Sequence, residues 1–461
     1  MRKHKKLIIA LLLLLIVVIV SYFILRCLLW KEEIISPTPT PSPRPPSSAM
    51  PVVTPVPAVS YTPEPATPGV MITLTASYTP EPTQTPAAAP RPRPTITPAL
   101  IPPPTETPSP ELPHIITPSP EPTPAPALTP ESRPPLAEAG AFELPINGAT
   151  GFTTVEMNLR SRADGKSETL RRIHAGTAFR VIEEKGAYWR VDNGDWAGWL
   201  EHKYCMVNLP DVIPSIVYEN TNASSSLMRS SGKALPGITG KQLYNSQAYN
   251  ERFGKTMYIM PVLYSMAKKI HTAQQAALNK GDSLKIYEAY RPHSAQRAIV
   301  SALSKLADND AQVKRGLSKS PWSVSWFIAQ SRSNHQLGCA IDVSLVKVLK
   351  FDYAYTGDFP YSTVANYEEY LMPSTIHELS VASVAFESPV SPNSATAWKS
   401  AALSKSMNAP AISLQSYCTA AKLTPLASEW WHFNDLAAKD SIGKNTGQGQ
   451  TVLTQLCSSV P

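Results

Sequence analysis

The chain has 461 residues, of which 47 are proline, and carries a formal net charge of +7. That length allows two or three domains, and the part after about residue 140 is long enough to bury a core. Arg2, Lys3, Lys5 and Lys6 supply four of the positive charges, and no Lys/Arg stripe with interleaved aromatics follows, which speaks against a nucleic-acid partner.

Residues 1–6 read as a short cytoplasmic tail. Residues 7–29 read as a transmembrane anchor, because Leu7 to Leu25 is almost wholly apolar and about 20 such residues cross a bilayer as a helix. The basic residues before it place the N-terminus inside and the rest of the chain outside, at the cell-wall side of the membrane. No A-x-A-like cleavage site follows, so an uncleaved anchor is preferred to a signal peptide. Arg26 before Cys27 argues against a lipoprotein.

Residues 36–140 read as a disordered Pro-rich stalk. Of the 47 prolines, 33 fall between Pro37 and Pro135, and Ser-Tyr-Thr-Pro-Glu-Pro occurs at Ser60 and again at Ser77. Proline blocks helix and sheet hydrogen bonds, and the segment is poor in large apolar residues, so no packed core is expected. Such a stretch would reach roughly 300 Å fully extended, or about 60 Å as a flexible coil.

Residues 150–208 read as a small all-β domain. Ala178 to Glu183 is rich in strand formers, Tyr188 to Val191 alternates, Asn193-Gly194 offers a turn, and Trp196 to Leu200 follows. The stretch resembles the bacterial SH3-like domains of cell-wall enzymes. The resemblance rests on Met157-Asn158-Leu159-Arg160, Ala175-Gly176-Thr177, Tyr188-Trp189, and Gly198-Trp199-Leu200 through Tyr204. It implies a small barrel that binds wall peptides or serves as a spacer.

Residues 210–440 form the largest unit, with 441–461 as a C-terminal tail. A helix is expected from Pro261 to Asn279 and a strand from Leu284 to Glu288. A second helix should follow Tyr290-Arg291-Pro292. Cys339 to Leu345 reads as a buried strand, 397–407 and 410–422 as helices, and Ser428 to Phe433 as a last strand. Segments 346–380 and 384–396 match no recognisable pattern. Helices and strands without strict alternation indicate an α+β fold. Four cysteines beyond Cys27 show no C-x-x-C spacing, so a cysteine zinc site is not expected, while a disulfide such as Cys418 with Cys457 is compatible with the sequence.

Three stretches carry chemistry. Ser333 to Asp342 places His335 in a turn ending at Gly338 and Asp342 seven residues later on an apolar strand; Glu429-Trp430-Trp431-His432 and Tyr290-Arg291-Pro292 are the others. A catalytic zinc keeps three protein ligands and one open position, and His335, Asp342 and His432 make such a set. Asp342 would be costly to bury unless paired or metal-bound. Glu429 would act as general base on the metal's water. Arg291 can offer fixed donors to an oxyanion or a substrate carboxylate. Ser333 is a candidate substrate contact or a cap of the turn. His293 and His377 are left out, because neither is accompanied by a carboxylate at a telling spacing. One condition attaches to this reading: in a regular strand residues 429 and 432 point to opposite faces, so the strand must end, bulge or turn there.

These residues resemble the D-Ala-D-Ala zinc peptidases of vancomycin resistance, the VanY-type D,D-carboxypeptidases and the VanX-type dipeptidases. Ser333, His335, Gly338, Ala340 and Asp342 fill Ser-x-His-x-x-Gly-x-Ala-x-Asp, and Glu429 and His432 fill Glu-x-x-His. The resemblance implies an α+β zinc peptidase domain, an antiparallel sheet with flanking helices. It also implies Zn2+ on His335, Asp342 and His432, Glu429 as base, Arg291 at the transition state, and peptidoglycan stem peptides or D-Ala-D-Ala as substrate. The double tryptophan is closer to the dipeptidase branch, whereas the anchor and the SH3-like module point to trimming wall peptides outside the cell. An L,D-carboxypeptidase or endopeptidase on the same scaffold is the alternative, as is a non-catalytic wall-binding protein with a structural zinc.

Overall fold

The computed structural model describes residues 142–461. The expected anchor and stalk lie outside the described residues. Among the described residues no helix is long and apolar enough to cross a membrane.

Seven short strands come first: β1 Thr150–Thr153, β2 Met157–Arg160, β3 Thr169–Ile173, β4 Ala178–Lys185, β5 Tyr188–Asp192, β6 Ala197–Glu201 and β7 Cys205–Asn208. They form one sheet in the order β7-β1-β4-β5-β6-β2-β3. Alternation decides which side chains go inside. Phe179 and Val181 of β4, Trp189 and Val191 of β5, and Leu200 of β6 are all buried, and the Phe179 and Trp189 rings meet edge to face at 6.4 Å.

The sheet does not stop at residue 208. β7 pairs with β1 along one edge and with β9 (Pro261–Leu263) along the other. The helix expected from Pro261 therefore begins three residues later, as α1 (Tyr264–Leu278). The free edge of β7 takes up the backbone of Pro261–Leu263, and the Leu263 N–H donates to the Gly338 carbonyl at 2.8 Å. Buried side chains from 149–208 and from the later sheet belong to one apolar core.

The second sheet carries the chemistry. It consists of β8 (Val217–Tyr218), β10 (Asp282–Glu288), β11 (Ala340–Thr356), β12 (Phe359–Glu369), β13 (Thr424–Leu426) and β14 (Glu429–Asn434). The order is β13-β14-β11-β10-β8, with β12 also paired to β11. All pairings are antiparallel except β10 with β8. α1 packs on β10, and α4 (Ala409–Ala420) packs on α1 and β11. α2 (His293–Asn309) and α3 (Ala311–Ser318) lie between β10 and the loop to β11 in sequence. Every residue of β10 and β14 is buried, as are the first seven of β11.

One further expectation needs correction, and two points left open by the sequence are settled. Much of the unassigned stretch 346–380 is the long β11–β12 hairpin, which continues the buried strand outward. The helix expected at 397–407 is only a single 3-10 turn at Ala397–Ser400. There the backbone pairs across the chain instead: Glu387 N–H donates to Ala402 O and Ser404 N–H to Ala385 O, both at 2.9 Å. The Cys418–Cys457 disulfide is not formed; all four described cysteines are free thiols. Cys418 lies on the buried face of α4, whereas Cys457 lies beside β1, its N–H donating to Thr150 Oγ1 at 3.1 Å.

The C-terminal segment is likewise packed rather than trailing. After α5 (Leu436–Ile442) the chain returns to the first sheet, where Ser459 N–H donates to Gly148 O at 2.8 Å and Leu453 is buried.

Candidate active site

Local geometry places His335. Residues Asn334–Leu337 form a 3-10 turn with a capping box: Ser333 Oγ accepts from His335 N, and Ser333 N donates to the Gln336 side chain at 2.8 Å. Ser333 is thus the cap of the turn, one of the two roles open to it from sequence. Gly338 ends the turn at φ 67°, and a Cβ there would lie 2.7 Å from the Met206 sulfur, so a side chain is disfavoured by both conformation and space. Cys339 then leads into β11, which carries Asp342 opposite His432 of β14.

β14 meets the condition set by the Glu-x-x-His spacing. Its pairing with β13 shifts register between Pro425 and Leu426, so Pro425 faces Phe433 while Leu426 faces Glu429. This irregularity breaks the strict alternation of faces. Glu429 Oε2 consequently comes within 3.7 Å of His432 Nδ1.

Three electron-pair donors converge. His335 Nε2 and His432 Nδ1 lie 3.2 Å apart, and they lie 3.2 and 2.9 Å respectively from Asp342 Oδ1. The far side of each ring has its own partner. His335 Nδ1 lies 2.7 Å from the Ala289 carbonyl, and His432 Nε2 lies 3.0 Å from Asn434 Oδ1, which also accepts from Asn334 Nδ2 at 2.7 Å. Those oxygens can only accept, so each outer nitrogen carries the proton and each inner nitrogen presents a lone pair. Three lone pairs facing one another repel unless a cation or a proton stands among them. The edge of a zinc tetrahedron with bonds of about 2.0–2.2 Å is roughly 3.3 Å, so the donor set fits zinc in type, number and spacing. Imidazoles held by carbonyl acceptors on their outer nitrogens are the usual support of such a metal.

All of these groups are buried. Burial alone would raise the Asp342 pKa, but His335, His377 and His432 hold it well below the ordinary carboxylate range. Burial lowers the His335 pKa. For His432 burial acts downward too, but the Asp342 carboxylate prevails and raises it. Burial pushes Glu429 up to about 8, against the pull of His432. A cation on the triad would bring Glu429 back down toward the range of a base that works at neutral pH.

Arg291 follows β10, and each of its three side-chain nitrogens donates. Nε donates to Glu288 Oε2 at 2.7 Å, Nη1 to Gln296 Oε1 at 2.8 Å, and Nη2 to Asp342 Oδ2 at 3.1 Å; Nη2 also pairs with Glu288. Glu288 further accepts from Asn222 Nδ2 at 2.7 Å and Tyr244 OH at 3.1 Å. Arg291 therefore stands beside the triad, tied to one of its members.

The structure also brings in residues that sequence reasoning missed. His377, left out of the candidate set on sequence, lies with Nε2 3.2 Å from Asp342 Oδ2. The C-terminal segment straps the two motif loops. His293 N–H donates to Gly449 O at 2.6 Å, Tyr290 OH to Thr451 O at 2.8 Å, Gln336 Nε2 to Gln448 O at 2.8 Å, and Arg332 Nη1 to Thr446 Oγ1 at 2.7 Å. The triad, Glu429, Arg291 and His377 line one cleft of about 230 Å3, walled further by Trp326, Trp431, Arg332 and Lys439.

A scan of the chain against protein-family models finds no match. A search among curated proteins finds none either.

Proposed function

We propose that the chain is a zinc-dependent peptidase cleaving D-alanyl-D-alanine-type bonds in peptidoglycan peptides, as a D,D-carboxypeptidase or dipeptidase. The observation that supports it most is the convergence of His335 Nε2, His432 Nδ1 and Asp342 Oδ1 within 2.9 to 3.2 Å, with the Glu429 carboxylate 3.7 Å from His432. A purely structural metal site needs no such carboxylate at its edge. His335, Asp342 and His432 would hold the zinc, and the metal would supply a water acidified toward neutrality and a Lewis acid for the scissile carbonyl.

The chain's own groups do the rest. Glu429, buried beside His432, is placed to take a proton from the attacking water and to return it to the leaving amine. Arg291 contributes a fixed positive charge beside the triad; releasing Asp342 or Gln296 would free a donor for a developing oxyanion. Trp326 and Trp431 line the same cleft, and apolar walls of this kind strengthen electrostatic effects beside them. On this reading the chain would be held by residues 7–29 at the outer face of the membrane, with stem peptides as its substrate.

The test is incubation of the purified protein with tetra- and pentapeptide wall fragments and with free D-Ala-D-Ala, with products identified by mass spectrometry. Release of D-Ala that stops on chelation and returns with Zn2+ is expected. Release that survives complete metal removal sinks the mechanism. Release of a residue joined by an L,D bond instead would move the assignment to an L,D-carboxypeptidase.

A further inference from the structure

His377 is held in a backbone conformation that few non-glycine residues adopt. It is one of three non-glycine residues with positive φ among those described, at 61°. Side chains rarely adopt this region, and such strain persists only where the surroundings over-determine it. Here they do. His377 O accepts from Arg229 N at 3.1 Å, and Leu379 N donates back to Arg229 O at 2.8 Å. Ser230 Oγ donates to Leu379 O at 2.6 Å, and the Glu378 carboxylate accepts from Gly232 N at 3.0 Å and from Ser231 N. The ring is buried between Tyr287 and Trp431, at centroid distances of 6.5 and 6.3 Å.

This clamp delivers one contact to the site. His377 Nε2 lies 3.2 Å from Asp342 Oδ2, the oxygen that His335 and His432 do not share. The carboxylate is thereby divided. Oδ1 faces the two imidazoles, while Oδ2 accepts from His377 and from Arg291 Nη2 at 3.1 Å. Glu288, Asp342 and His377 also lie close enough together to suggest a second metal site. The guanidinium of Arg291 already bonds both Glu288 and Asp342 there, and a divalent ion beside it would meet a fixed positive charge. The cluster reads as a cation-filled support, not as another metal site.

We propose that His377 is a positioning residue for the metal: its Nε2–H fixes Asp342 Oδ2 so that Oδ1 alone is presented to a single zinc. This rests on the zinc reading given above. A carboxylate held in this way stays monodentate and keeps the open position of a catalytic centre available to water.

Zinc affinity of the full-length protein, measured by competition with a chromophoric chelator, tests the assignment without reference to turnover. Thermal unfolding of the metal-free variants checks that each is folded. Wild type should bind one zinc per chain. His377→Ala should bind it about 10- to 100-fold more weakly, and His377→Gln, whose amide N–H reaches the place of Nε2, should recover most of the loss. Should the alanine variant not fold, His377→Met against His377→Gln gives the same comparison at similar volume. Unchanged affinity in His377→Ala, or equal weakening in the alanine and glutamine variants, overturns the role of the donor. A second zinc in wild type that His377→Ala loses overturns it in favour of a two-metal site. Wild type that takes up no zinc is a separate outcome, which removes the zinc reading and this assignment together.

Discussion

The first sheet and the second sheet share one apolar core yet spend burial differently. In the first, the innermost side chains are Phe179, Val181, Trp189, Val191 and Leu200. In the second, Glu288, Arg291, His335, Asp342, His377, Glu429 and His432 are buried within or beside strands that otherwise carry Ile286, Ile341, Val343 and Phe433. Removing charges from water costs several kcal/mol each unless they are paired. The first sheet gains stability from its interior. The second gives some up to hold a cluster of ionisable groups; on the proposed function, this is the trade expected where stability and activity compete.

The sharpest way to break this contrast is to separate activity from stability at Glu429. Glu429→Gln should lower turnover of D-Ala-terminated peptides by about 10³-fold, while zinc binding persists and the unfolding midpoint stays equal or rises. A variant that loses activity only in proportion to lost folded protein would erase the distinction. At the opposite pole stands Trp189→Ala, which should cost about 3–5 kcal/mol by denaturant unfolding. Activity per folded molecule should be unchanged, and a fall in that specific activity would show that the first sheet shapes the site directly.

Smaller effects probe where the two regions join. Gly338→Ala forces a side chain into φ 67° and against Met206 of β7, so a loss of about 1–3 kcal/mol is expected, together with weaker zinc binding because His335 shares that turn. Tyr290→Phe removes the hydrogen bond to Thr451 O. A loss of about 1 kcal/mol is expected, and faster proteolysis of residues 444–461 should accompany it. Unaltered proteolysis would mean that the strap is held elsewhere.

A pH dependence outside the site tests the same contrast in solution conditions rather than by packing. Burial lowers the His271 pKa from its ordinary 6.5 to about 4. The unfolded chain therefore binds a proton between those values and the folded chain does not. Stability should be complete above about 6.5, decline as pH falls toward 4, and level off below. His271→Phe should flatten that slope in the unfolding midpoint, and an unchanged slope would place its origin in other groups.

Much of the architecture was legible from periodicity. Ile270, Ala273 and Ala277 mark the buried face of α1, and alternation through Tyr188 to Val191 marks β5, because both patterns reflect which side chains must leave water. The start of α1 was misplaced, since a free edge on β7 claimed Pro261–Leu263. The helix at 397–407 was lost to cross-chain pairing with 385–387. In the site, the residues at telling spacings were found from sequence, and the structure brings His335, Asp342, Glu429 and His432 together with Arg291 alongside.

By itself the sequence determined which side chains can bind a metal and which stretches must be buried, because ligand chemistry and hydropathy are properties of residues and their local spacing. Only the tertiary structure decided that β14 slips its register so that residues 429 and 432 face one centre. Only it carried His377 to Asp342 and drew the C-terminal segment across both motif loops. Those contacts join residues 35 to 161 positions apart, and no local pattern encodes a pairing that depends on how separate elements pack.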